Sequence, residues 1–358
     1  FLRTVLTGCY VSGEPAEAAQ ITGVDLVVPN SAKDRLLDRI EAEFRDLESE
    51  IENPISIPVP CIPMVFGNSR ALVKVEDGCN MRCGFCVIPF TRGPQTSRAL
   101  PEIVEEVRCL TEAGHQETVV TGVQISSYQW QGRGLFELTQ ALLEQTGMPR
   151  LRLTSIAPWQ FDRRLLDLFS SARLCRHVHL SLQSGCSKTL RCMRRPYTSA
   201  DFAALVSEIR QHVPGIAITT DVIVGYPGES DAEFEESLEF CRQMAFSRLH
   251  AFPFSQRPGT EAAGLPDQVP HQIKRQRMER ILEQARRSEQ EFAMRHAHTR
   301  AEVLWEYRKQ GAWYGMTDNY LRVVTECDED LAHRITPVQL AEQGEIGMNC
   351  SLRPAVSR

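Results

Sequence analysis

The sequence predicts an α/β fold: a partial, open (β/α)6 barrel of parallel strands, followed by a small β-barrel. Two observations carry this. Between Ala71 and Phe254 strand-like and helix-like segments alternate, and strands separated by helices pair in parallel through crossover connections. After a long charged helix, the texture changes to short strands and turns.

The strands of the array are Ala71–Val75, Thr118–Val123, Leu151–Ile156, His177–Leu182, Ile216–Val224 and Arg248–Phe254. Between them lie helices at Pro101–Ala113, Leu135–Gln145, Phe161–Ser170, Ser199–His212 and Asp231–Met244. Pro101 stands in a first turn and Gly114 just past the same helix, where each residue is favoured. Ser199 is the expected N-cap of its helix. These strands are too few for a closed eight-unit barrel, so the wall stays open. His271 to Arg295 reads as the long charged helix, and Ala301–Tyr307, Ala312–Thr317 and Tyr320–Val324 as strands of the second module. Upstream, Val24–Pro29 is strand-like, Ala32–Phe44 helical, and the proline-containing Glu48–Asn68 a linker.

Composition is that of a globular protein, with 42% hydrophobic and 24% charged residues. A formal net charge of -6 argues against a generally basic nucleic-acid binder. No apolar run approaches the roughly 18 residues that cross a membrane, so no membrane partner is expected. The chain opens on Phe1 without a signal peptide or an initiator Met, which predicts missing upstream sequence and a cytoplasmic location. Its twelve cysteines therefore predict metal ligands or packing residues rather than a disulfide framework.

Cys79, Cys83 and Cys86 are the exception to scattered cysteines, at C-x-x-x-C-x-x-C spacing directly after the first strand of the array. Loops that follow barrel strands lie at the C-terminal face, where barrel sites are built. Soft thiolates suit iron–sulfur clusters, and three ligands on four irons leave one iron open to a small chelating molecule. A structural zinc site, which ordinarily closes with four ligands, and a chance cluster are the alternatives.

Gly78–Cys86, with Val87-Ile88-Pro89-Phe90-Thr91-Arg92-Gly93, resembles the radical S-adenosylmethionine (SAM) superfamily and, within it, the methylthiotransferases. Ser184-Gly185, Arg194–Thr198, Asp221–Glu229 and Phe252–Thr260 extend the resemblance, densest from Ala71 to Arg280. The last block and Gly315–Tyr320 resemble the MtaB-type branch, which modifies N6-threonylcarbamoyladenosine in tRNA. Cys186, Cys192 and Gln124–Ser126 depart from the family pattern without touching a predicted cluster ligand.

The resemblance implies a radical SAM barrel at residues 65–296, preceded by a truncated N-terminal α/β methylthiotransferase domain (1–62) and followed by a TRAM-like barrel (298–358). It implies C2 methylthiolation of N6-threonylcarbamoyladenosine at position 37 of tRNA, with SAM and two four-iron four-sulfur clusters. Isopentenyladenosine in tRNA, an aspartate of a ribosomal protein, or a non-catalytic iron–sulfur RNA binder are the competing readings. Cys79, Cys83 and Cys86 hold the radical cluster in this reading. Cys9 is one ligand of the auxiliary cluster, its other two lying upstream of Phe1. Phe85, Thr121, Gly122, Gln183, Ser184, Gly225 and Gly228 are the expected SAM contacts, with Phe85 equally readable as a core aromatic and Glu229 as a helix cap. The partners implied are tRNA and a low-potential electron donor, and a monomer is expected.

For RNA contact the sequence offers Trp313, Tyr314 and Tyr320, readable as stacking aromatics or as the core aromatics a small barrel also needs, together with Arg191, Arg194, Arg195 and the long helix. His271–Gln310 carries ten Lys/Arg against six acids, whereas Gly311–Arg358 carries four against seven. Lys274, Arg275, Arg277 and Arg280 read more simply as a solvated face paired with Glu279 and Glu283.

Overall fold

The computed structural model describes residues 3–44 and 69–352. The predicted linker Glu48–Asn68, with Cys61, lies outside the described residues. Within the first segment β1 (Val5–Gly8) pairs in parallel with β2 (Leu26–Pro29), around α1 (Cys9–Gly13) and α2 (Pro15–Ala19), and α3 (Leu36–Phe44) follows. The start of the expected helix Ala32–Phe44 falls instead in a 3-10 turn, Asn30–Arg35.

The array contains β3 (Arg70–Lys74), a short antiparallel pair β4 (Glu76–Asp77) and β5 (Thr96–Ser97), and α4 (Ile88–Thr91) between them. It continues with α5 (Leu100–Glu112), β6 (Glu117–Thr121), α6 (Leu135–Gln145), β7 (Arg150–Leu153), α7 (Leu165–Leu168) and β8 (His177–His179). Then come α8 (Ser187–Cys192), α9 (Ser199–His212), β9 (Ala217–Val224), α10 (Asp231–Met244), β10 (Arg248–Pro253) and α11 (His271–Arg295). The strands form two three-stranded parallel sheets, β3-β6-β7 and β8-β9-β10, joined by the parallel bridge Ile156–Leu180. This is the expected open parallel wall.

Alternation along each strand sorts its residues to two faces. Ala71, Val73, Val120, Leu151, Leu153, Val178, Ile218, Val222 and Val224 pack under the helices in one apolar core with Ile103, Leu138, Phe202 and Phe234. The opposite face lines a lumen and is polar: Thr154, His177, His179, Thr219 and Asp221 stand there. Two expectations need correction. Thr198, not Ser199, caps α9, because its hydroxyl accepts from Asp201 N–H while the Asp201 carboxylate accepts from Thr198 N–H. Phe161–Ser170 is mostly tight turn, with one helical turn at α7, because Asp162 ties down the Arg164 amide and guanidinium locally.

The C-terminal module is a closed five-stranded barrel, β11 (Arg300–Lys309), β12 (Ala312–Thr317), β13 (Arg322–Glu326), β14 (Ile335–Gln343) and β15 (Met348–Leu352), in the order β11-β12-β13-β15-β14. The last two strands escape sequence reading because Pro337 lies in β14. It sits one residue outside the β14–β15 pairing that ends at Val338–Leu352, so it removes no bond from that ladder. The barrel docks on the N-terminal ends of the array strands. Arg150 donates to the carbonyls of Met316 (3.0 Å) and Glu302 (2.8 Å), and Arg176 grips Asp318 (2.6 Å). The Gly315–Tyr320 block is thus a docking turn. Of the cysteines read as packing residues, Cys175 and Cys241 are buried thiols, whereas Cys109 is disulfide-bonded.

Candidate functional site

The cysteine loop runs from β4 to α4 at the C-terminal mouth of the lumen. Asp77 sets its start: its carboxylate accepts from Gly78 N–H (2.8 Å), Lys74 (2.9 Å) and Arg92 (3.1 Å). Burial alone would raise the Asp77 pKa, but these donors outweigh it and hold the group at about 2. Gly78 has φ +73°, and a Cβ there would collide with the Pro94 carbonyl, so glycine is required. Gly84 is fastened on both sides, its N–H to Met193 (3.1 Å) and its carbonyl to Ala262 N–H (2.8 Å).

All three cysteines of the loop are half-buried free thiols. Burial pushes Cys79 and Cys86 up, and the Cys83 charge adds to this, so the sulfurs stand within electrostatic reach of one another. Arg195 opposes that repulsion and donates to Cys83 Sγ at 3.3 Å. The guanidinium is fixed over the rings of Trp159 (4.9 Å), Phe85 (5.9 Å) and Tyr197 (6.0 Å). Arg195 was expected to face RNA; it faces the thiols instead. A set of soft donors beside a fixed cation fits an anionic iron–sulfur cluster. Among the described residues no three His, Cys, Asp or Glu side chains converge on a single ion, and a cubane needs no such convergence because each thiolate binds its own iron.

The expected SAM contacts surround this loop unevenly. Thr121 and Gly122 end β6 beside Glu76, whose Oε1 accepts from Gln124 N–H at 2.6 Å. A Cβ on Gly122 would strike that carboxylate. Glu76 is 1% exposed, burial raises its pKa, and its Oε2 has no partner. Sequence reading passed over it; the available signal was an acid at a strand end directly before the cysteine motif. Phe85 packs with Met193, Tyr226, Phe254 and Ala262, which agrees with its core reading. Gln183 adopts φ +71°, donating from its N–H to the Asp221 carbonyl at 2.8 Å. Ser184 is fully buried and its hydroxyl accepts from Cys186 N–H.

The turn after β9 is more structural than expected. Gly225 donates its N–H to Glu229 (2.7 Å) and lies against Lys274, and Gly228 donates to the Asp267 carbonyl (2.7 Å). Both amides are therefore engaged within the protein. Glu229 does not cap α10; Ser230 and Glu233 form that capping box, and Glu229 pairs with buried Arg277 at 2.8 Å. Burial pushes Glu229 up to about 7, against the pull of Gly225 N–H and Arg277.

Cys9, at the start of α1, meets the array through α4. Arg92 Nε donates to its sulfur (3.2 Å) and Asn30 Nδ2 lies 3.5 Å away. The same Arg92 holds Asp77, so Cys9 and the cysteine loop share a residue. Burial raises the Cys9 pKa, but the bonds from Arg92 and Asn30 overcome it and the net shift is downward.

The expected RNA-stacking residues are elsewhere. Trp313 is core, 5% exposed, and Tyr314 is 7% exposed. Tyr320 lies at the dock, stacked on His177 with ring centroids 4.4 Å apart. The exposed aromatic of the module is Tyr307, stacked on Tyr314 at 5.0 Å. On α11 Arg275 pairs with Glu279 as the paired-face reading expects, but Arg277 is buried against Glu229 and Asp231, Arg280 pairs with Glu235, and Lys274 donates to the Phe254 carbonyl.

Comparison with known proteins agrees with this architecture. Residues 73–241 match the family model for the radical SAM superfamily. The threonylcarbamoyladenosine tRNA methylthiotransferase MtaB of Bacillus subtilis (strain 168) is 32% identical over 357 residues, spanning 95% of this chain and 78% of that protein. The protein of the same name from Aquifex aeolicus (strain VF5) is 37% identical over 331 residues, spanning 90% and 79%. Among solved structures, the radical S-adenosylmethionine methyltransferase TsrM of Kitasatospora setae, with tryptophan substrate and a SAM analogue bound, superposes with a TM-score of 0.58 at 17% identity. That alignment covers 72% of this chain and 57% of that one, a likeness of fold.

Proposed function

This chain belongs to the MtaB-type methylthiotransferases of the radical SAM superfamily, and on that premise we propose how its own residues serve the reaction. The activity is methylthiolation of N6-threonylcarbamoyladenosine in tRNA. Cys79, Cys83 and Cys86 hold a four-iron four-sulfur cluster. When bound, cluster and SAM together supply reductive cleavage of a carbon–sulfur bond, and so the radical that takes hydrogen from the base.

Arg195 places a fixed positive charge and one N–H at Cys83, which offsets thiolate repulsion. Glu76 holds the turn at Gly122–Gln124 with one oxygen. Its second oxygen, buried and unpartnered, suits an ammonium such as that of SAM. Gln183 and Thr121 border the same mouth. Cys9 serves as a ligand of the auxiliary cluster, with Arg92 orienting it. The C-terminal barrel is TRAM-like and offers RNA the exposed Tyr307 with Arg308 and Lys309. A low-potential donor supplies electrons, and the chain acts as a monomer in the cytoplasm. No helix among the described residues is long and apolar enough to cross a membrane.

The observation that carries this reading is the Arg195–Cys83 contact beside two further coupled thiols at the mouth of a parallel barrel. Anaerobic reconstitution with iron and sulfide, followed by SAM and dithionite, tests it. Release of 5′-deoxyadenosine is expected; stoichiometric zinc without iron would contradict it.

A further inference from the structure

The lumen wall below the cysteine loop carries a chain of polar groups that the family reading does not use. His177 Nε2 and His179 Nδ1 each lie 3.0 Å from Thr219 Oγ1, and His179 Nε2 lies 3.1 Å from Asp221 Oδ2. The protons can be assigned. An ionised carboxylate only accepts, so His179 Nε2 carries the hydrogen. In a neutral ring Nδ1 is then the acceptor, Thr219 donates to it, and Thr219 accepts from His177 Nε2–H. Burial, with the charge of Arg152, holds His177 far below its ordinary pKa, so its ring is neutral and carries one hydrogen. Its Nδ1 is buried without a partner, which places that hydrogen on Nε2, where Thr219 accepts it.

This chain is directional and ends on Asp221. One oxygen is spent on His179; the other has no partner among the described residues, and the side chain is 30% exposed to the lumen. Asp221 stands in register with His250 on β10, which burial keeps low in pKa, and Ile223 with Phe252 one step nearer the cysteine loop. Phe252 is 51% exposed and Leu72, across the lumen on β3, is 64% exposed. Beneath, Tyr320 closes the floor, with Arg152 (5.1 Å) and Arg248 (5.3 Å) over its ring. The lower lumen opens sideways into a cavity of about 450 Å³ lined by Leu72, Thr154, His177 and Tyr320. The exposed apolar side chains of Phe252 and Leu72, with one oriented acceptor on the same lumen, suit a planar heterocycle that carries an N–H donor.

We propose that Asp221, held in place by His179 and Thr219, accepts a hydrogen bond from an N6-side N–H of the target adenine and so positions the base beneath the cysteine loop. This rests on the tRNA substrate reading above. His179 and Thr219 are positioning residues, since they act through Asp221. The His179 bond takes up one carboxylate oxygen and aims the other, which a solvated side chain would leave free to rotate.

The test is binding, read by anisotropy with labelled anticodon stem-loops and the reconstituted chain. One loop carries N6-threonylcarbamoyladenosine at the target position. The other carries purine riboside there, which has no N6 donor. The intact protein should prefer the first loop. Asp221→Asn should weaken that loop by about 10- to 100-fold, the worth of a hydrogen bond to a charged group. Its affinity for the purine loop should not change, which also shows that the variant is folded. Asp221→Glu should recover part of the preference. Equal loss for both loops, or a preference that survives Asp221→Asn, would overturn the inference alone. An intact protein with no preference would overturn the substrate reading and the inference together.

Discussion

Arg152 binds both carboxylate oxygens of Glu117, at 2.7 and 3.1 Å, and gives two further N–H groups to the carbonyls of Thr317 and Asp318. One buried residue thereby joins two strands of the array to the C-terminal barrel. Removing one partner of a buried pair leaves the other uncompensated, at a cost of about 3–5 kcal/mol. Arg152→Met should lose about that much in urea unfolding, with Glu117 left behind. An effect below 1 kcal/mol would show that the dock is not held by this pair. By the same logic, ending the chain before Arg300 exposes Arg150, Arg152 and Arg176 and removes the floor residue Tyr320. SAM cleavage should fall with it. The all-β module, which closes the lumen floor through Tyr320, should therefore not separate from catalysis.

The cysteine loop and Arg195 should separate in their effects. Cys83→Ala should abolish iron–sulfur absorbance and 5′-deoxyadenosine release together, because two thiolates hold a cubane poorly. Arg195→Gln should keep the cluster but shift its reduction potential to more negative values, since a nearby cation and its N–H to sulfur both favour the reduced form. A redox titration followed by EPR reads the shift; an unchanged potential would leave Arg195 a packing residue.

Cys9 should differ from the loop cysteines in thiol chemistry. Arg92 and Asn30 lower its pKa, while burial raises Cys79 and Cys86. In metal-free protein near neutral pH, iodoacetamide should label Cys9 faster than Cys79 or Cys86, because the thiolate is the nucleophile. Arg92→Ala should slow labelling at Cys9. Peptide mass analysis over a time course measures both.

Glu229 sets a pH dependence of stability. Its folded pKa of about 7 lies above the ordinary 4.5. The folded state therefore keeps a proton that the unfolded chain releases between these values. Its contribution is undiminished below the lower value and is lost as pH rises through about 7, a change of order 3 kcal/mol. Glu229→Gln should flatten the fall in stability between pH 5 and 7. Thermal melts across that range decide it; a flat wild-type profile would mean Arg277 keeps Glu229 ionised.

The parallel array was legible because its helices and strands obey their own periods. Leu135–Gln145, Asp231–Met244 and His271–Arg295 fall where their apolar spacing and end residues place them. The cysteine motif was legible because spacing alone distinguishes it. What stayed hidden depends on contacts far apart in sequence. Glu76 gains meaning only from Gly122 and Gln124, and Arg195 only from Cys83. Trp313 and Tyr314 read as RNA aromatics because composition does not tell a barrel core from its surface. Pro337 hid β14: it stands opposite Glu302 on β11 but outside the β14–β15 ladder, and pairing is not written locally.

The central claim is that this chain methylthiolates threonylcarbamoyladenosine. Its most direct test is mass analysis of nucleosides from tRNA bearing N6-threonylcarbamoyladenosine, after anaerobic incubation with reconstituted protein, SAM and dithionite. The account predicts conversion to the 2-methylthio derivative, absent with Cys83→Ala. Unmodified threonylcarbamoyladenosine with conversion of isopentenyladenosine instead, or the same product from Cys83→Ala, would contradict it.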